Sequence, residues 1–429
     1  MLTLVICLHE AVAQPQPNII YIMVDDMGYA DLSGYGRKDY KTPHLDKLAS
    51  QGMKFTNAYS GSSICTPTRT SFMTGRYPAR TAVGLWEPIT GSNIDSAAGL
   101  TPDYPSLPAL LSKSGYETYL VGKWHLGFQP SSSPNANGFD YFFGFHGGAI
   151  DYIAHTNPAG HPDLYENDQP VDQHGYITDL LKEKAINLIR QEHKKPFFLC
   201  LMFNAPHWPW QAPTDSIYPP GADKWREGGS GATYAAMMVS MDKAVGSILE
   251  ELDSQNMTNN SVVIFTSDNG GERFSDMGGF TGGKSLLREG GIRVPAFIRW
   301  PGKIAPNTIT DQPAITMDWT ATILSLAGAK PGPGFPLDGI DLLPVCKGTR
   351  PPIERTFYWR MSQRNPSKAV RFGNWKYLQD KNGEWLYNVV ADPGEKEDLR
   401  EKNMQIFQIL KDKYAAWEKT VLQPIVLPR

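Results

Sequence analysis

The sequence predicts an α/β fold with a mainly parallel central sheet, because apolar strand segments alternate along the chain with amphipathic helices. The segment Asn18 to Val24 is apolar without polar alternation, which indicates a strand buried on both faces. Two longer segments, Tyr176 to His193 and Tyr234 to Leu252, carry apolar residues at helical spacing, and an apolar strand segment follows each. Together these features favour a parallel sheet between layers of helices.

Shorter segments fit the same alternation. Pro43 to Ser50 and Ser106 to Ser114 are predicted helices, and a glycine that can end a helix follows each of them closely. Further strands are predicted at Thr118 to Val121, Pro196 to Phe203 and Ser261 to Thr266. Ligands of parallel sheets bind beyond the carboxyl ends of the strands. Polar residues that follow predicted strands are therefore candidate site residues: Asp25, Asp26, Lys123, His125, His207, Asp268 and Asn269.

The composition of the chain and the length of its apolar segments change after about Pro344. Short aromatic segments separated by Gly and Asn turns predict a small antiparallel sheet, and Met404 to Thr420 predicts a final helix. We therefore expect a catalytic domain at residues 14–343 and a C-terminal α+β subdomain at residues 344–429.

The amino-terminal residues predict export. Met1 to Leu8 is an apolar run, and Ala11-Val12-Ala13 has the small-x-small form of a signal-peptidase site, so residues 1–13 are interpreted as a signal peptide. We expect a secreted or periplasmic protein. No later segment approaches the roughly 20 apolar residues of a membrane helix. The net charge of −3 offers no basic excess, so neither nucleic acid nor a membrane is expected as a partner.

Four cysteines in a chain of 429 residues do not form a disulfide framework. Three of them, Cys65, Cys200 and Cys346, remain after cleavage of the predicted signal peptide. Cys200 lies in an apolar run and is interpreted as a small buried hydrophobic residue. A bridge between Cys200 and Cys346 stays open.

Acidic and amide side chains at two strand ends indicate a metal site. Carboxylate and amide oxygens are hard ligands that suit calcium or magnesium. Either pair on its own is equally typical of a turn or a helix cap. The residues concerned are Asp25, Asp26, Asp268 and Asn269.

The segment from Ser63 to Arg76 carries the most specific motif of the chain. It contains Cys65, Pro67 and Arg69 in the spacing C-x-P-x-R, followed by Thr-Gly-Arg, and in this it resembles the type I sulfatase family. Five further family motifs follow in order, so that the resemblance covers essentially the whole chain after residue 18: Gly122–Gly127, Ala205–His207, Asp268–Gly271, Gly282–Lys284 and Glu289–Pro295.

The resemblance implies an alkaline phosphatase-like fold and hydrolysis of sulfate esters. It implies that a formylglycine-generating enzyme converts Cys65 to formylglycine, whose hydrate has one hydroxyl to attack sulfur and a second to expel sulfate. It also implies one calcium ion, which would polarise a sulfate oxygen. The implied calcium ligands are Asp25, Asp26, Asp268, Asn269 and the residue derived from Cys65.

The same resemblance implies the roles of the basic residues. Arg69 and Lys123 would hold the modified residue, and His125 would remove the proton that drives sulfate elimination. His207 and Lys284 would contact the sulfate, and one of them would protonate the leaving alcohol. Taken singly, His125 and His207 would each be more typical of structural histidines. Because both match the family motifs in position and order, the resemblance favours catalytic roles for them instead.

The substrate is predicted to be a sulfated carbohydrate of the galactose or N-acetylgalactosamine type. The segment Gly144 to Tyr152 resembles a loop that precedes the substrate pocket in arylsulfatase B-type enzymes. Aromatic residues stack on sugar faces and polar residues fix hydroxyl groups, whereas the alternative role is simple loop packing. The pocket candidates are Asp151, His155, Trp208 and Trp210.

Two other functions would be compatible with this type of fold. A phosphatase or phosphodiesterase of the alkaline phosphatase superfamily would use Ser or Thr as nucleophile and usually two zinc ions, and Cys65 with Pro67 and Arg69 argues against it. A noncatalytic glycan-binding relative would be indicated by loss of a catalytic residue, and every motif position is present.

Overall fold

The structure is a computed structural model that describes residues 16–425. The predicted signal peptide therefore lies outside the described residues. The strands up to the C-terminal region are, in chain order, β1 (Asn18–Val24), β2 (Met53–Phe55), β3 (Ala58–Tyr59), β4 (Glu117–Lys123), β5 (Tyr141–Phe145), β6 (Tyr165–Glu166), β7 (Gln169–Pro170), β8 (Phe197–Met202), β9 (Ser261–Ser267), β10 (Ala296–Arg299), β11 (Thr308–Thr310) and β12 (Ala314–Ile315).

Strands β1, β2 and β4 to β11 form one large sheet in the order β11-β2-β10-β9-β1-β8-β4-β5-β6-β7. Its centre is parallel: β1 pairs with β8 and β9, and β4 pairs with β8 and β5. The sheet is antiparallel where β10 pairs with β9 and β2, and where β6 joins β5. The carboxyl ends of β1, β4, β8 and β9 consequently meet at one edge.

Helices cover both faces of this sheet. Alternate residues of β1 enter different apolar clusters, with Ile20 and Ile22 in one and Ile19 and Met23 in the other. Helices α4 and α6 pack in the first cluster, whereas α2, α3 and α8 pack in the second. The helices are α1 (Pro43–Ser50), α2 (Cys65–Thr74), α3 (Leu107–Lys113), α4 (Ile177–Arg190), α5 (Ala222–Glu227), α6 (Gly231–Ser254), α7 (Glu289–Ile292), α8 (Thr316–Leu326), α9 (Leu343–Cys346) and α10 (Met404–Glu418).

A second sheet follows near the C-terminus. It is antiparallel throughout, in the order β13-β14-β15-β16, and α10 packs against β14 and β15. Its aromatic residues form a third apolar cluster that also includes Tyr59 and Cys65 of the main domain. Its strands are β13 (Thr356–Met361), β14 (Ser367–Phe372), β15 (Trp375–Asp380) and β16 (Gly383–Asn388).

The predicted α/β class and the small C-terminal sheet are confirmed. The strand predicted at Thr118 to Val121 is longer than expected, so Lys123 is the last residue of β4 rather than part of the following loop. Cys65, Cys200 and Cys346 are buried free thiols, and the bridge left open between Cys200 and Cys346 is not formed. No helix within residues 16–425 has the length and apolar character needed to cross a membrane.

Candidate active site

Helix α2 begins at Cys65. Ile64 precedes it in extended conformation. The helix ends at Thr74, and the following Gly75 has a φ of 67°, which lies in the left-handed region that glycine tolerates. The first backbone N–H groups of a helix lack intrahelical acceptors and favour an anion. Cys65 is buried, and burial raises the pKa of its thiol although Lys123 and Lys284 oppose the shift. An ordinary cysteine here would remain a protonated thiol.

Acidic and amide residues from β1 and β9 converge beside this helix. Val24 lies opposite Ser267 in the parallel pairing, so the residues that follow the two strands are neighbours. The side-chain amide of Asn269 donates to Asp26 Oδ1 at 2.7 Å, and the backbone N–H of Asp26 donates to Asp268 Oδ1 at 3.2 Å. All four residues, including Asp25, are buried.

Three cations balance the three carboxylates. Lys123 Nζ lies 2.5 Å from Asp25 Oδ2, and Lys284 Nζ lies 2.6 Å from Asp26 Oδ2. Arg69 Nη2 lies 3.0 Å from the remaining carboxylate, that of Asp268. Burial alone would raise the pKa of Asp25, but Lys123 and the neighbouring cations outweigh burial and hold this pKa well below its usual range.

Two buried oxygens in this cluster lack a hydrogen-bond donor. They are Asp25 Oδ1 and Asn269 Oδ1, and Arg69 Nη2 is 3.7 Å from Asp25 Oδ1, beyond hydrogen-bond distance. A buried polar atom without a partner costs about 1–3 kcal/mol. Ligand atoms of Asp25, Asp26 and His207 lie within 4.8 Å of one another. Carboxylate and amide oxygens in this arrangement fit a calcium-like cation.

Burial also raises the pKa of two of these carboxyl groups. The pKa of Asp268 rises to about 6, because burial and the nearby charge of Asp25 outweigh Arg69. The pKa of Asp26 rises well above its usual range through burial, although Lys284 opposes the shift. A divalent cation would favour the ionised form of both groups.

His125 is arranged as a neutral base. Its Nε2 lies 2.9 Å from the carbonyl oxygen of Ile89, whereas its Nδ1 is buried without a partner. A proton on Nε2 leaves the lone pair of Nδ1 free. Burial, with Lys123 second, lowers the pKa of His125 well below its usual value. Thr66 fixes the same residue by donating its hydroxyl to the His125 carbonyl at 3.1 Å.

His207 is the second histidine of the cluster and lies beside Asp26. Its Nδ1 lies 2.5 Å from the Trp208 carbonyl oxygen, and its Nε2 lies 3.5 Å from Asp26 Oδ2. Burial, with Lys284 second, lowers the pKa of His207 well below its usual value. The ammonium of Lys284 remains charged, because Asp26 and Glu272 outweigh burial and raise its pKa.

The predicted catalytic and metal residues therefore meet in one cluster, whereas the four predicted substrate residues are each packed against other protein groups. Asp151 is fully buried, where its carboxylate accepts from the backbone N–H groups of Ile153 and Ala154 and from the side-chain amide of Gln211. His155 is also buried, with Nε2 2.9 Å from the Gly175 carbonyl oxygen. These contacts organise the loop, which fits the alternative of simple loop packing, and a substrate role for Asp151 and His155 stays a prediction.

The two tryptophans are also packed against protein groups. Trp208 lies beside His207 with ring centroids 4.5 Å apart, and the Arg226 guanidinium lies 4.6 Å from the Trp208 ring. Trp210 is 3% exposed and packs edge-on against Phe274. Neither ring presents a free face for stacking on a sugar, although Trp208 does border the catalytic cluster.

Several residues of the site were not singled out from the sequence. Asn204 is buried, and neither the nitrogen nor the oxygen of its side-chain amide has a hydrogen-bond partner. Its backbone carbonyl accepts from the backbone N–H of His207 at 2.8 Å. Glu272 lies 3.7 Å from Lys284. Gly148 packs so closely that a Cβ there would lie 2.6 Å from the His125 ring. Position directly beside a motif was the available signal for Asn204 and Glu272.

Comparison with known families agrees with this geometry. A sulfatase family model matches residues 17–329, and a model of the C-terminal part of N-sulphoglucosamine sulphohydrolase matches residues 279–419. The fold and the site thus define a sulfuric ester hydrolase. The chain belongs to the sulfatase family.

Individual relatives extend over most of the chain. N-acetylgalactosamine-6-sulfatase of Rattus norvegicus is 35% identical over 395 residues, which cover 85% of this chain and 72% of the relative. Arylsulfatase A of Bos taurus is 32% identical, with 91% and 80% covered. The crystal structure of Ps i-CgsB in complex with k-i-k-neocarrahexaose superposes with a TM-score of 0.85 at 30% identity, covering 95% of this chain and 94% of that chain.

Proposed function

We propose that this enzyme hydrolyses sulfate esters of a sulfated carbohydrate, of the galactose or N-acetylgalactosamine type, with calcium and a formylglycine derived from Cys65. The observation that carries the proposal is the pair of buried, unpartnered oxygens of Asp25 and Asn269 beside the first residue of α2. The carbohydrate class is supported by one relative's name, N-acetylgalactosamine-6-sulfatase, and by the oligosaccharide in the Ps i-CgsB structure.

The proposed cofactors supply the chemistry that the chain itself lacks. Calcium would polarise a sulfate oxygen, and the formylglycine hydrate would provide the attacking hydroxyl and the hydroxyl that later expels sulfate. The residues that would hold calcium are Asp25, Asp26, Asp268, Asn269 and the residue formed from Cys65. Their buried carboxylate and amide oxygens fit a hard cation.

The fixed cations would stabilise charge on the sulfuryl group. Arg69 is fully buried in α2, where it donates to the Lys123 carbonyl at 3.2 Å, so both side chains keep fixed positions. Preorganised charges of this kind act where negative charge develops in the transition state. Lys284 is held by Asp26, to which its Nζ donates at 2.6 Å.

Proton transfer would be divided between two histidines. His125 would accept a proton at Nδ1 during expulsion of sulfate, because that nitrogen has a free lone pair in the neutral ring. His207 or Lys284 would donate the proton to the leaving alcohol. Lys284 carries its proton in the free enzyme, whereas neutral His207 would first have to gain one at Nε2.

The proposal includes two cellular requirements. The enzyme would be secreted or periplasmic, as Ala11-Val12-Ala13 predicts. A formylglycine-generating enzyme would act on Cys65 while the chain is unfolded, because Cys65 is only 1% exposed in the folded protein.

The test is sulfate release by protein that is coexpressed with a formylglycine-generating enzyme. The panel contains an aryl sulfate and sulfated galactose and galactosamine oligosaccharides, with calcium present or chelated. We expect calcium-dependent release from at least one sugar. Cys65→Ala and Cys65→Ser should abolish release and leave the circular dichroism spectrum unchanged, whereas Cys346→Ala, which changes another buried thiol, should stay active.

Three outcomes would contradict the proposal. Unchanged turnover in Cys65→Ala would exclude the formylglycine mechanism. Faster hydrolysis of phosphate esters than of every sulfate ester would favour the phosphatase alternative. Complete conversion of Cys65 by mass spectrometry, together with sugar binding but no release of sulfate, would indicate a glycan-binding relative.

A further inference from the structure

A cleft of about 280 Å³ lies between the segment that follows Lys284 and the C-terminal sheet. The exposed side chain of Leu286 contributes apolar surface to it, and the buried leucines Leu287 and Leu378 lie at its base. Arg288, Arg364 and Lys381 also line the cleft. An apolar surface with three cations is suited to a sugar that carries anionic groups.

The lining of the cleft has an excess of positive charge. Its one lining carboxylate belongs to Asp380, which accepts from the Asn382 N–H at 2.7 Å. Arg364 and Lys381 are exposed, and within residues 16–425 neither forms an ion pair with an acidic side chain. A cleft with charges of one sign concentrates the field and attracts an ion of opposite charge.

The third cation is held in place by the protein. Arg288 Nη1 donates to the Tyr387 hydroxyl at 3.0 Å and to the Glu395 carbonyl at 3.3 Å. The guanidinium also lies 5.5 Å from the centre of the Trp385 ring. These contacts orient Arg288 before any ligand binds, which reduces the entropy lost on binding.

Hydrogen bonds join the walls of the cleft to the segment of the reactive residue. The Ser285 N–H donates to the Ser63 carbonyl at 2.9 Å, and the Asn365 amide donates to the Ser285 carbonyl at 3.1 Å. Ser63 is two residues before Cys65, and its hydroxyl lies 2.8 Å from Met361 Sδ. One wall of the cleft is therefore connected through Ser285 to the segment that leads into Cys65.

We propose that this cleft binds a second anionic group, a sulfate or carboxylate, on the same glycan whose sulfate ester reacts at Cys65. Arginine forms paired hydrogen bonds with such groups, and a nearby lysine adds a point charge. The inference rests on the proposed function and narrows it, because the preferred substrate becomes a multiply charged oligosaccharide or polysaccharide rather than a sugar with a single sulfate.

The test uses dextran sulfate as a polyanionic probe that competes with 4-nitrophenyl sulfate, a substrate too small to fill both sites. The variant is Arg364→Ala/Lys381→Ala. We expect the inhibition constant of dextran sulfate to rise roughly three- to tenfold, because the variant loses two exposed ion pairs with the probe and each such pair contributes modestly. The kcat and KM for 4-nitrophenyl sulfate should stay unchanged, and added salt should weaken inhibition less in the variant.

Matched variants separate the cleft from general charge effects. Lys330→Ala/Lys402→Ala removes two exposed cations that do not line the cleft, and inhibition should match the wild type. Arg364→Lys/Lys381→Arg keeps both charges and should largely retain inhibition. Uncharged dextran should inhibit neither the wild type nor any of these variants.

The outcomes distinguish the two proposals. Wild-type enzyme that releases sulfate neither from 4-nitrophenyl sulfate nor from any sugar of the panel contradicts the proposed function. Wild-type enzyme that is active but insensitive to dextran sulfate, or equally inhibited before and after Arg364→Ala/Lys381→Ala, contradicts the cleft alone. A shift equal to that of Lys330→Ala/Lys402→Ala also contradicts it.

Discussion

Lys376 Nζ lies 2.9 Å from Glu289 Oε1, and both side chains are completely buried. Lys376 belongs to β15 of the C-terminal sheet, whereas Glu289 begins α7, five residues after Lys284. The same ammonium lies 2.9 Å from Glu395 Oε1, and the Tyr59 hydroxyl donates to Glu289 Oε2 at 2.6 Å. This ionic cluster joins the C-terminal sheet to the segment from Lys284 to Glu289.

Lys376→Met should destabilise the protein strongly. The change leaves the buried carboxylates of Glu289 and Glu395 without their shared cation, and breaking a buried pair in this way costs about 3–5 kcal/mol. Urea unfolding should show this loss. The control Lys402→Met removes a cation from an exposed pair with Glu397 and should leave the free energy of unfolding nearly unchanged, because solvent screens exposed pairs. Equal effects of the two changes would contradict this role of Lys376.

Glu289 should also contribute to acid sensitivity. Burial alone would raise its pKa, but Lys376, Arg293 and Arg371 outweigh burial and lower the pKa to about 2. A lowered folded-state pKa stabilises the protein above the unfolded value of 4.5, and this contribution is lost as pH falls from about 4.5 to about 2. The contribution is no more than about 3 kcal/mol.

The pKa of Glu395 is shifted in the opposite direction from that of Glu289. Burial, with Glu289 adding to it against Lys376, raises the Glu395 pKa, so its protonation relieves repulsion as the pH falls. The measurement is therefore the difference in unfolding free energy between wild type and Glu289→Gln across this pH range. The difference should shrink as the pH falls, whereas it should be small throughout for the exposed residue change Glu401→Gln. A difference independent of pH would contradict the assignment.

Gly148→Ala should lower kcat by displacing His125. The new Cβ would lie 2.6 Å from Cε1 and 2.7 Å from Nε2 of that ring, and Nε2 is already fixed by the Ile89 carbonyl. A misplacement of about 1 Å can cost roughly a hundredfold in rate. Steady-state sulfate release measures the effect. Gly231→Ala meets no atom within 4 Å and should leave kcat unchanged.

Calcium should stabilise the folded protein as well as activate it. Ligand at a hundredfold excess over its Kd adds about 2.7 kcal/mol to the free energy of unfolding. Thermal unfolding with calcium, with chelator and with magnesium should show a selective rise in Tm with calcium. Asn269→Ala removes one of the unpartnered oxygens and should weaken this rise. A Tm that is identical with calcium and with chelator would exclude the site.

The sequence predicted the composition of the catalytic cluster well. Asp25 and Asp268 each follow an apolar strand, and the strands of a parallel sheet end at the same edge. The sequence alone therefore predicts that the two carboxylates lie close together. The structure confirms the α/β fold, with β1 and β9 as neighbours. Element boundaries were less accurate: Lys123 proved to be in β4, and the strand β10, which pairs antiparallel with both β2 and β9, was not predicted.

The substrate residues show the limit of sequence patterns. Nothing in the spacing of Asp151 or Trp208 indicates that the first is enclosed by its own loop and the second packs on His207. The direction of a loop side chain depends on contacts with distant segments, which no local periodicity encodes.

The sequence by itself therefore determined the class of fold, the order of the motifs and the chemical types of the catalytic groups, because buried strands and ordered motifs are local features of the chain. Tertiary structure alone decided which cations pair with which carboxylates, which aromatic rings are free, and that Arg288, Arg364 and Lys381 line one cleft. These features depend on packing between segments far apart in the chain.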